Sequence, residues 1–310
     1  MKRATVFAPG SIGNVGPGFD ILGLAIDGIG DRVTVELGKS GPVIVRGIDA
    51  EHVPTDPAKN AAAIAAAAML RRVEPALSRL EPTESRLYVT IEKGLPVSAG
   101  LGGSASSSVA GAYAAALASS IDARPNEIML AALEGEIAVS GRHLDNIAPI
   151  TLGGLVLSRS IDPIDVVPLP VPEKWSLALI TPRVRIETKK ARAILPDKWE
   201  RESWVQQMAN ASALIVAFMT GDGALARRAL DDLYAEPRRA SMIPHFAEVK
   251  RAALDAGAFG CSISGSGPTI FAIVDTSTSR YCADAMRRAM GDVPCEVRES
   301  PIARKGAHPV

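Results

Sequence analysis

The segment Pro96-Val97-Ser98-Ala99-Gly100-Leu101-Gly102-Gly103-Ser104-Ala105-Ser106-Ser107-Ser108 holds the residue types best suited to chemistry. It follows a strand-like run and leads into a helix-like one. Glycines let the main chain turn and approach a ligand closely. The first-turn N–H groups of a helix lack partners, and its dipole favours negative charge. Serine hydroxyls can donate to phosphate oxygens or ligate Mg²⁺. The competing explanation is a flexible Gly/Ser linker, but regular elements flank the loop at once, and a solvated linker has no use for Leu101. Phosphate binding is the expected chemistry. Other phosphate and nucleophile motifs fail on spacing. Gly38-Lys39-Ser40 has Val33 where a Walker A needs its first glycine. Gly265-Ser266-Gly267 lacks the third glycine of a dinucleotide fingerprint, and neither a protein-kinase H-R-D/D-F-G pair nor a G-x-S-x-G elbow occurs.

Other clusters are polar where a pure core would not be. Pro9 to Asp20 is a glycine-rich turn carrying Asn14 and Asp20, and turn chemistry alone accounts for it. Glu134 and Glu136 are two residues apart on a predicted helix and so point to different sides, one toward a site and the other to water. His143, Asp145 and Asn146 follow at the helix end, whereas His52, His245 and His308 stand without such company and read as structural. Thr188-Lys189-Lys190-Ala191-Arg192 and Glu236-Pro237-Arg238-Arg239 are basic runs, usually solvated faces. Arginine is also the residue best matched to a carboxylate. Gly260 to Thr269 reads as a tight hairpin or as a supporting wall beside the phosphate loop.

These residues need elements to position them, and the pattern mixes strands and helices. A short strand, Ala4 to Ala8, should stop at Pro9-Gly10. Asp31–Gly38 and Arg86–Glu92 alternate as half-buried strands. Asp56-Pro57 marks a helix start ahead of the alanine-rich run Ala61–Leu70. Helices are expected over 106–120 and 126–140, then a strand at Leu155–Leu157. Residues 161–175 hold four prolines, too many for a helix or central strand, and read as the connection between two halves, 1–160 and 161–310. The second half should contain strands at 176–181, 269–274 and 295–299. Its helices should lie near 199–220, 222–234, 245–256 and 278–290, and its last residues should form a frayed tail from Arg304. The irregular alternation indicates an α+β fold.

Composition narrows the function. Apolar residues make up 47% of the 310 residues and charged ones 22%, which excludes a disordered or collagen-like chain. Lys plus Arg and Asp plus Glu are 34 each, so no global field attracts nucleic acid or an anionic membrane. The three cysteines, Cys261, Cys282 and Cys295, form no disulfide or zinc pattern. Gly94 to Ile121 carries no formal charge but is too poor in large apolar residues for a membrane span. No signal peptide is visible, and a cytoplasmic location is expected.

Taken together, these segments resemble the GHMP small-molecule kinases, and within them the homoserine kinase family. Pro96 to Ser106 resembles the ATP loop P-x-x-x-G-L-G-S-S-A, with Gly103 where the first serine is common, and Gly260 to Thr269 resembles the glycine-rich third motif. Three further segments select the branch: Asn14 to Gly23, His143 to Pro149, and Glu236 to Arg239. The resemblance implies a two-domain fold, with a ribosomal-protein-S5-like first domain containing a left-handed crossover and a ferredoxin-like second domain. It implies ATP and Mg²⁺ as cofactors and L-homoserine as the phosphate acceptor. The loop positions Pro96, Val97, Ser98, Ala99, Gly100, Leu101, Gly102, Gly103, Ser104, Ala105 and Ser106 would hold the nucleotide, with Asn60 by the adenine. Ser104 and Glu136 would hold the metal. Asn14, Asp20, His143, Asn146, Arg192 and Arg239 would hold homoserine, and Glu136, Thr188 and Asn146 form the expected catalytic set. A homodimer is a further implication. The competing functions are another GHMP kinase, such as one of the mevalonate pathway, and a nucleotide-binding sensor without turnover. A mevalonate-type acceptor has no amine for Asp20 to meet, and a sensor has no need of a metal carboxylate.

Overall fold

A computed structural model describes residues 3–73 and 87–310. The chain begins with β1 (Arg3–Gly13), β2 (Leu22–Leu37) and β3 (Ile44–Gly47), then α1 (Ala61–Val73) and β4 (Leu87–Lys93). Three helices follow, α2 (Gly103–Ala118), α3 (Pro125–Val139) and α4 (Ile147–Leu152), then the hairpin β5 (Leu155–Ile161) and β6 (Ile164–Leu169). The second part contains β7 (Trp175–Pro182), α5 (Thr188–Ala193), α6 (Arg201–Thr220), α7 (Gly223–Ala229), α8 (Glu236–Arg239) and α9 (Phe246–Asp255). It closes with β8 (Gly260–Ile263), β9 (Ile270–Asp275), α10 (Ser279–Ala289), β10 (Cys295–Pro301) and β11 (His308–Pro309).

Two sheets organise these elements. The first runs β11-β1-β2-β4-β3, with β5 on a separate stretch of β2 and β6 outside it; the second runs β10-β7-β9-β8. Among the described residues all pairs are antiparallel except β3 with β4, between which α1 falls in the chain order. The fold is α+β in two parts, as the sequence implies. Val33 and Val35 of β2 and Val89 and Ile91 of β4 turn one face of the first sheet into the core shared with α1, α2 and α3. Alanine permits very close helix packing here. A Cβ on Gly111 of α2 would stand 2.5 Å from the Ala62 carbonyl of α1, so only glycine fits. A second apolar cluster joins the two parts through Leu22, Leu24 and Ile26 of β2, Leu177 and Leu179 of β7 and Phe218 of α6.

The structure corrects several boundaries. Pro9-Gly10 does not end β1; the strand absorbs the pair as a shift in register against β2. Asp56-Pro57 forms a turn, and α1 begins later, where the Asn60 side chain accepts from the Ala63 amide at 3.2 Å. The proline-rich stretch is not all connector. Ile164–Leu169 forms β6, and as an edge strand paired only with β5 it tolerates Pro168. The helix expected over 222–234 stops at Ala229, because the Asp232 carboxylate draws the amides of Tyr234, Ala235 and Glu236 into a turn. The tail is not frayed, since His308–Pro309 pairs with Val6 and Phe7. Arg86, placed at the start of a strand, lies outside the described residues. Among the described residues no helix is long and apolar enough to cross a membrane.

Candidate active site

A cavity of about 480 Å³ opens between the glycine–serine loop on one side and residues of the β1–β2 turn, α5 and α8 on the other. The loop runs from the end of β4 to the start of α2 and is pinned from behind. The Ser11 amide donates to the Leu101 carbonyl at 3.0 Å, and the Ser264 hydroxyl to that of Gly100 at 2.5 Å. The Thr269 hydroxyl donates to the Ala99 carbonyl at 2.6 Å. The hairpin at 260–269 is thus a wall behind the loop. Gly100 has φ +77°, and a Cβ there would stand 2.4 Å from the Ser264 carbonyl. Ser106 is the first residue of the helix whose amide bonds back, to the Gly102 carbonyl at 2.8 Å. The amides of Gly103, Ser104 and Ala105 precede that ladder, the arrangement suited to an anion.

Glu136 and Glu134 separate as their spacing implies. Glu134 faces outward and pairs with Arg71 and Arg72 at 2.8 and 2.9 Å. Glu136 is buried in the cavity wall, where its Oε2 accepts from the Ser140 hydroxyl at 2.7 Å while Oε1 has no partner. Burial pushes its pKa up, against the hydrogen bond from Ser140. Among the described residues no three His, Cys, Asp or Glu side chains cluster as a metal cage. Mg²⁺ does not require one, because it takes one or two carboxylates plus substrate phosphates. The partnerless Glu136 oxygen beside Ser104 fits that ion.

The opposite wall is built from charged side chains. Arg192 holds Asp20 through two parallel bonds of 2.7 and 2.8 Å. Arg239, nearly buried, donates to the carbonyls of Ala191 at 3.0 Å and Gly265 at 2.9 Å. The Phe19 ring lies beneath both guanidinium groups, 5.3 Å from Arg192 and 5.5 Å from Arg239. Burial, and then the nearby Arg192 charge, lower the pKa of Arg239. Asn14 accepts the Asp20 amide at 2.8 Å and donates its side-chain N–H to the Gly265 carbonyl at 3.2 Å. His143 meets the Asp145 carboxylate at 2.8 Å through Nδ1, and its Nε2 has no partner. Burial opposes a charge on the ring, but Asp145 outweighs it through hydrogen bond and charge and pushes the pKa to about 9. His143 is therefore an imidazolium at neutral pH. The Asn146 side-chain oxygen accepts from Ser11 at 2.9 Å, and Thr188 lies 3.4 Å from the Ser266 hydroxyl.

The residues to which the family resemblance assigns a role all line this cavity except Leu101, Ala105 and Ser106. Leu101 packs in the apolar cluster between the two parts, and Ala105 lies in the core under α2. Ser106 is fully buried and gives its hydroxyl to the Ala8 carbonyl at 2.8 Å. These three side chains are buried in the protein interior, so their part in the loop is confined to the main chain.

Residues 60–154 match the family described as GHMP kinases N terminal domain, and residues 214–292 match GHMP kinases C terminal. The homoserine kinase of Chlorobium phaeovibrioides is 39% identical over 322 residues, covering 99% of each chain. The chain belongs to the homoserine kinase family of the GHMP kinases. The Arabidopsis thaliana homoserine kinase is 41% identical over 278 residues, covering 87% of this chain and 73% of its own. The crystal structure of homoserine kinase from Cytophaga hutchinsonii superposes with a TM-score of 0.90 at 37% identity, covering 100% of this chain and 98% of that one.

In this GHMP kinase several cavity residues escaped the sequence reading. Lys93 lines the cavity beneath the loop, ion-paired with the fully buried Asp31 and donating to the Gly103 carbonyl at 3.2 Å. Ser107 donates to the same Asp31 carboxylate at 2.6 Å. The signal was present in the strand patterns. Lys93 continues the inward face of Leu87, Val89 and Ile91, and Asp31 that of Val33 and Val35. An opposite pair of charges on two core faces implies that they meet. Asp145, noted in the sequence beside His143, and His52 also line the cavity.

Proposed function

We propose that this chain transfers the γ-phosphoryl group of ATP to the side-chain hydroxyl of L-homoserine, giving O-phospho-L-homoserine for threonine synthesis. ATP is the phosphate donor of the family. The observation that carries the reading is the Asp20–Arg192–Arg239 group around Phe19, opposite a main-chain amide cradle in the same cavity. A carboxylate and two guanidinium groups side by side suit a molecule with an ammonium and a carboxylate.

In this reading residues 1–160 form the nucleotide-holding half and 161–310 the other, with β6 and β11 returning to the first sheet. Loop amides hold phosphate oxygens, and Asn60, buried at the cavity edge, lies by the adenine. Asp20 takes the ammonium, and Arg192 and Arg239 the carboxylate. Asn14, His143 and Asn146 hold the remainder of homoserine, and the His143 Nε2–H is a charged donor with no competing partner. Thr188 sits by the transferring group. Glu136 and Ser104 would hold Mg²⁺, which when bound neutralises charge on the phosphate oxygens. The acceptor oxygen attacks the γ-phosphorus as that atom's bond to the ADP oxygen breaks, and the hydroxyl proton is released to solvent water. The residues contribute alignment and charge stabilisation, the main sources of rate in phosphoryl transfer. A homodimer in the cytoplasm completes the reading; sedimentation of the purified chain tests the dimer.

A coupled ADP-release assay tests the activity. Turnover should respond to L-homoserine far more strongly than to mevalonate or galactose. An equal response to all three, or none, overturns the assignment.

A further inference from the structure

Gln207 does not line the cavity, yet it connects both walls of the acceptor pocket. Its side chain is buried where α6 passes behind the pocket. Nε2 donates to the Pro17 carbonyl at 3.0 Å and to the Asp232 carboxylate at 2.8 Å, while Oε1 accepts from the Leu233 amide at 2.8 Å. Each partner stands at the base of a different pole. Pro17 belongs to the turn that carries Phe19 and Asp20. Asp232 gathers the amides of Tyr234, Ala235 and Glu236 at 2.8, 3.1 and 2.8 Å, which sets the start of α8 and so the placement of Arg239 at its end.

Among the described residues no hydrogen bond joins the 15–20 turn directly to the 231–239 segment. The other links among the described residues are ring contacts, Phe19 on Tyr234 at 5.0 Å and Arg239 over Phe19, the packing of Leu230 near Gly16, and bridges through the Gly265 carbonyl, which accepts from both Asn14 and Arg239, and through Ala191 and Arg192. Ring contacts are tolerant of sliding, whereas a buried amide with every partner in place is not, because each broken bond leaves a desolvated polar group. The ammonium and carboxylate of a small amino acid are a fixed distance apart, and a misplacement of about 1 Å can cost roughly 100-fold in rate.

We propose that Gln207 is a positioning residue that sets the distance between Asp20 and Arg239, so that recognition of the amino-acid acceptor depends on a side chain it never touches. This rests on the homoserine reading of the pocket. The nucleotide loop shares no hydrogen bond with Gln207, so ATP binding lies outside its influence.

The test compares steady-state kinetics of the full-length wild type and Gln207→Met, which keeps the shape of the side chain and removes its hydrogen bonds. The expected result is about a tenfold rise in KM for L-homoserine, with KM for ATP within twofold. A homoserine KM within twofold of wild type, or a parallel rise in both KM values, overturns the proposal. Should that variant fail to fold, Gln207→Glu decides. It retains the acceptor for Leu233 but loses both donors, to the Pro17 carbonyl and to Asp232. A raised homoserine KM with an unchanged ATP KM supports the proposal, and a homoserine KM within twofold of wild type overturns it. The wild-type assay separates the two levels: a wild type inactive on homoserine defeats the substrate reading, and the same KM ratio is then read on whichever hydroxyl acceptor it does phosphorylate.

Discussion

The loop gives the cavity a nearly continuous stretch, 96–100 and 102–104, whereas the opposite wall draws on the β1–β2 turn, the 143–146 segment, α5 and α8. The first is held by bonds to its carbonyls from Ser11, Ser264 and Thr269, leaving the early amides of α2 toward the cavity. The second is held by the charges it displays, Asp20 on Arg192 and His143 on Asp145. A main-chain site can lose side-chain atoms and survive but cannot accept a new Cβ at its tightest turn. A side-chain site is the reverse, since almost any truncation removes a recognition group.

Four measurements press on that difference. The largest effect is expected at Glu136, a buried carboxylate in the cavity wall. Glu136→Gln should lower kcat by roughly 100- to 1000-fold, while Glu134→Gln on the outer face stays within twofold. Steady-state assays at varied Mg²⁺ read both, and a loss at Glu134 instead would exchange their roles. Next is Arg239→Leu, expected to raise the homoserine KM about 10- to 100-fold through a lost charged donor, with little change for ATP. An unchanged homoserine KM would remove Arg239 from the pocket. Third, Gly100→Ala should cost about 2 kcal/mol of stability from its left-handed backbone alone. Ser98→Ala in the same loop should cost under about 0.5 kcal/mol. Denaturant titration would show whether the contrast between neighbours holds.

The smallest is a shift rather than a loss. In an NMR titration the His143 ring should stay charged through pH 8 and deprotonate near 9. Asp145→Asn should bring that transition down, because burial then acts unopposed. Since the folded value lies above the unfolded one of about 6.5, the stability this pair contributes is complete below pH 6.5 and lost as pH rises through about 9. A wild-type ring that titrates near 6.5 would dismiss the pair as an electrostatic element.

The same contrast explains what could be read from the sequence. The loop was legible because a main-chain site must be contiguous, and glycine beside serine at the mouth of a helix has few other uses. The α+β class and the divergence of Glu134 from Glu136 followed from periodicity. The acceptor wall was legible only through family resemblance, because Asn14, His143, Arg192 and Arg239 are ordinary surface residue types until folding gathers them. Lys93 and Asp31 were missed although they interrupt two otherwise apolar faces, and that interruption was the usable signal. The tail and the proline-rich stretch misled because local composition says nothing of a distant strand edge. Val6 and Phe7 supply that edge for His308–Pro309, and β5 supplies it for β6.

On the proposed reading, the ion pair between Asp20 and Arg192 lets each residue stand in for one end of an amino-acid acceptor, Arg192 for its ammonium and Asp20 for its carboxylate. An incoming zwitterion exchanges that single contact for two and leaves neither partner stranded. A plain carboxylic acid or a plain amine must break the same contact and can console only one side. Discrimination therefore begins before any phosphate is in play, as the cost of an incomplete trade.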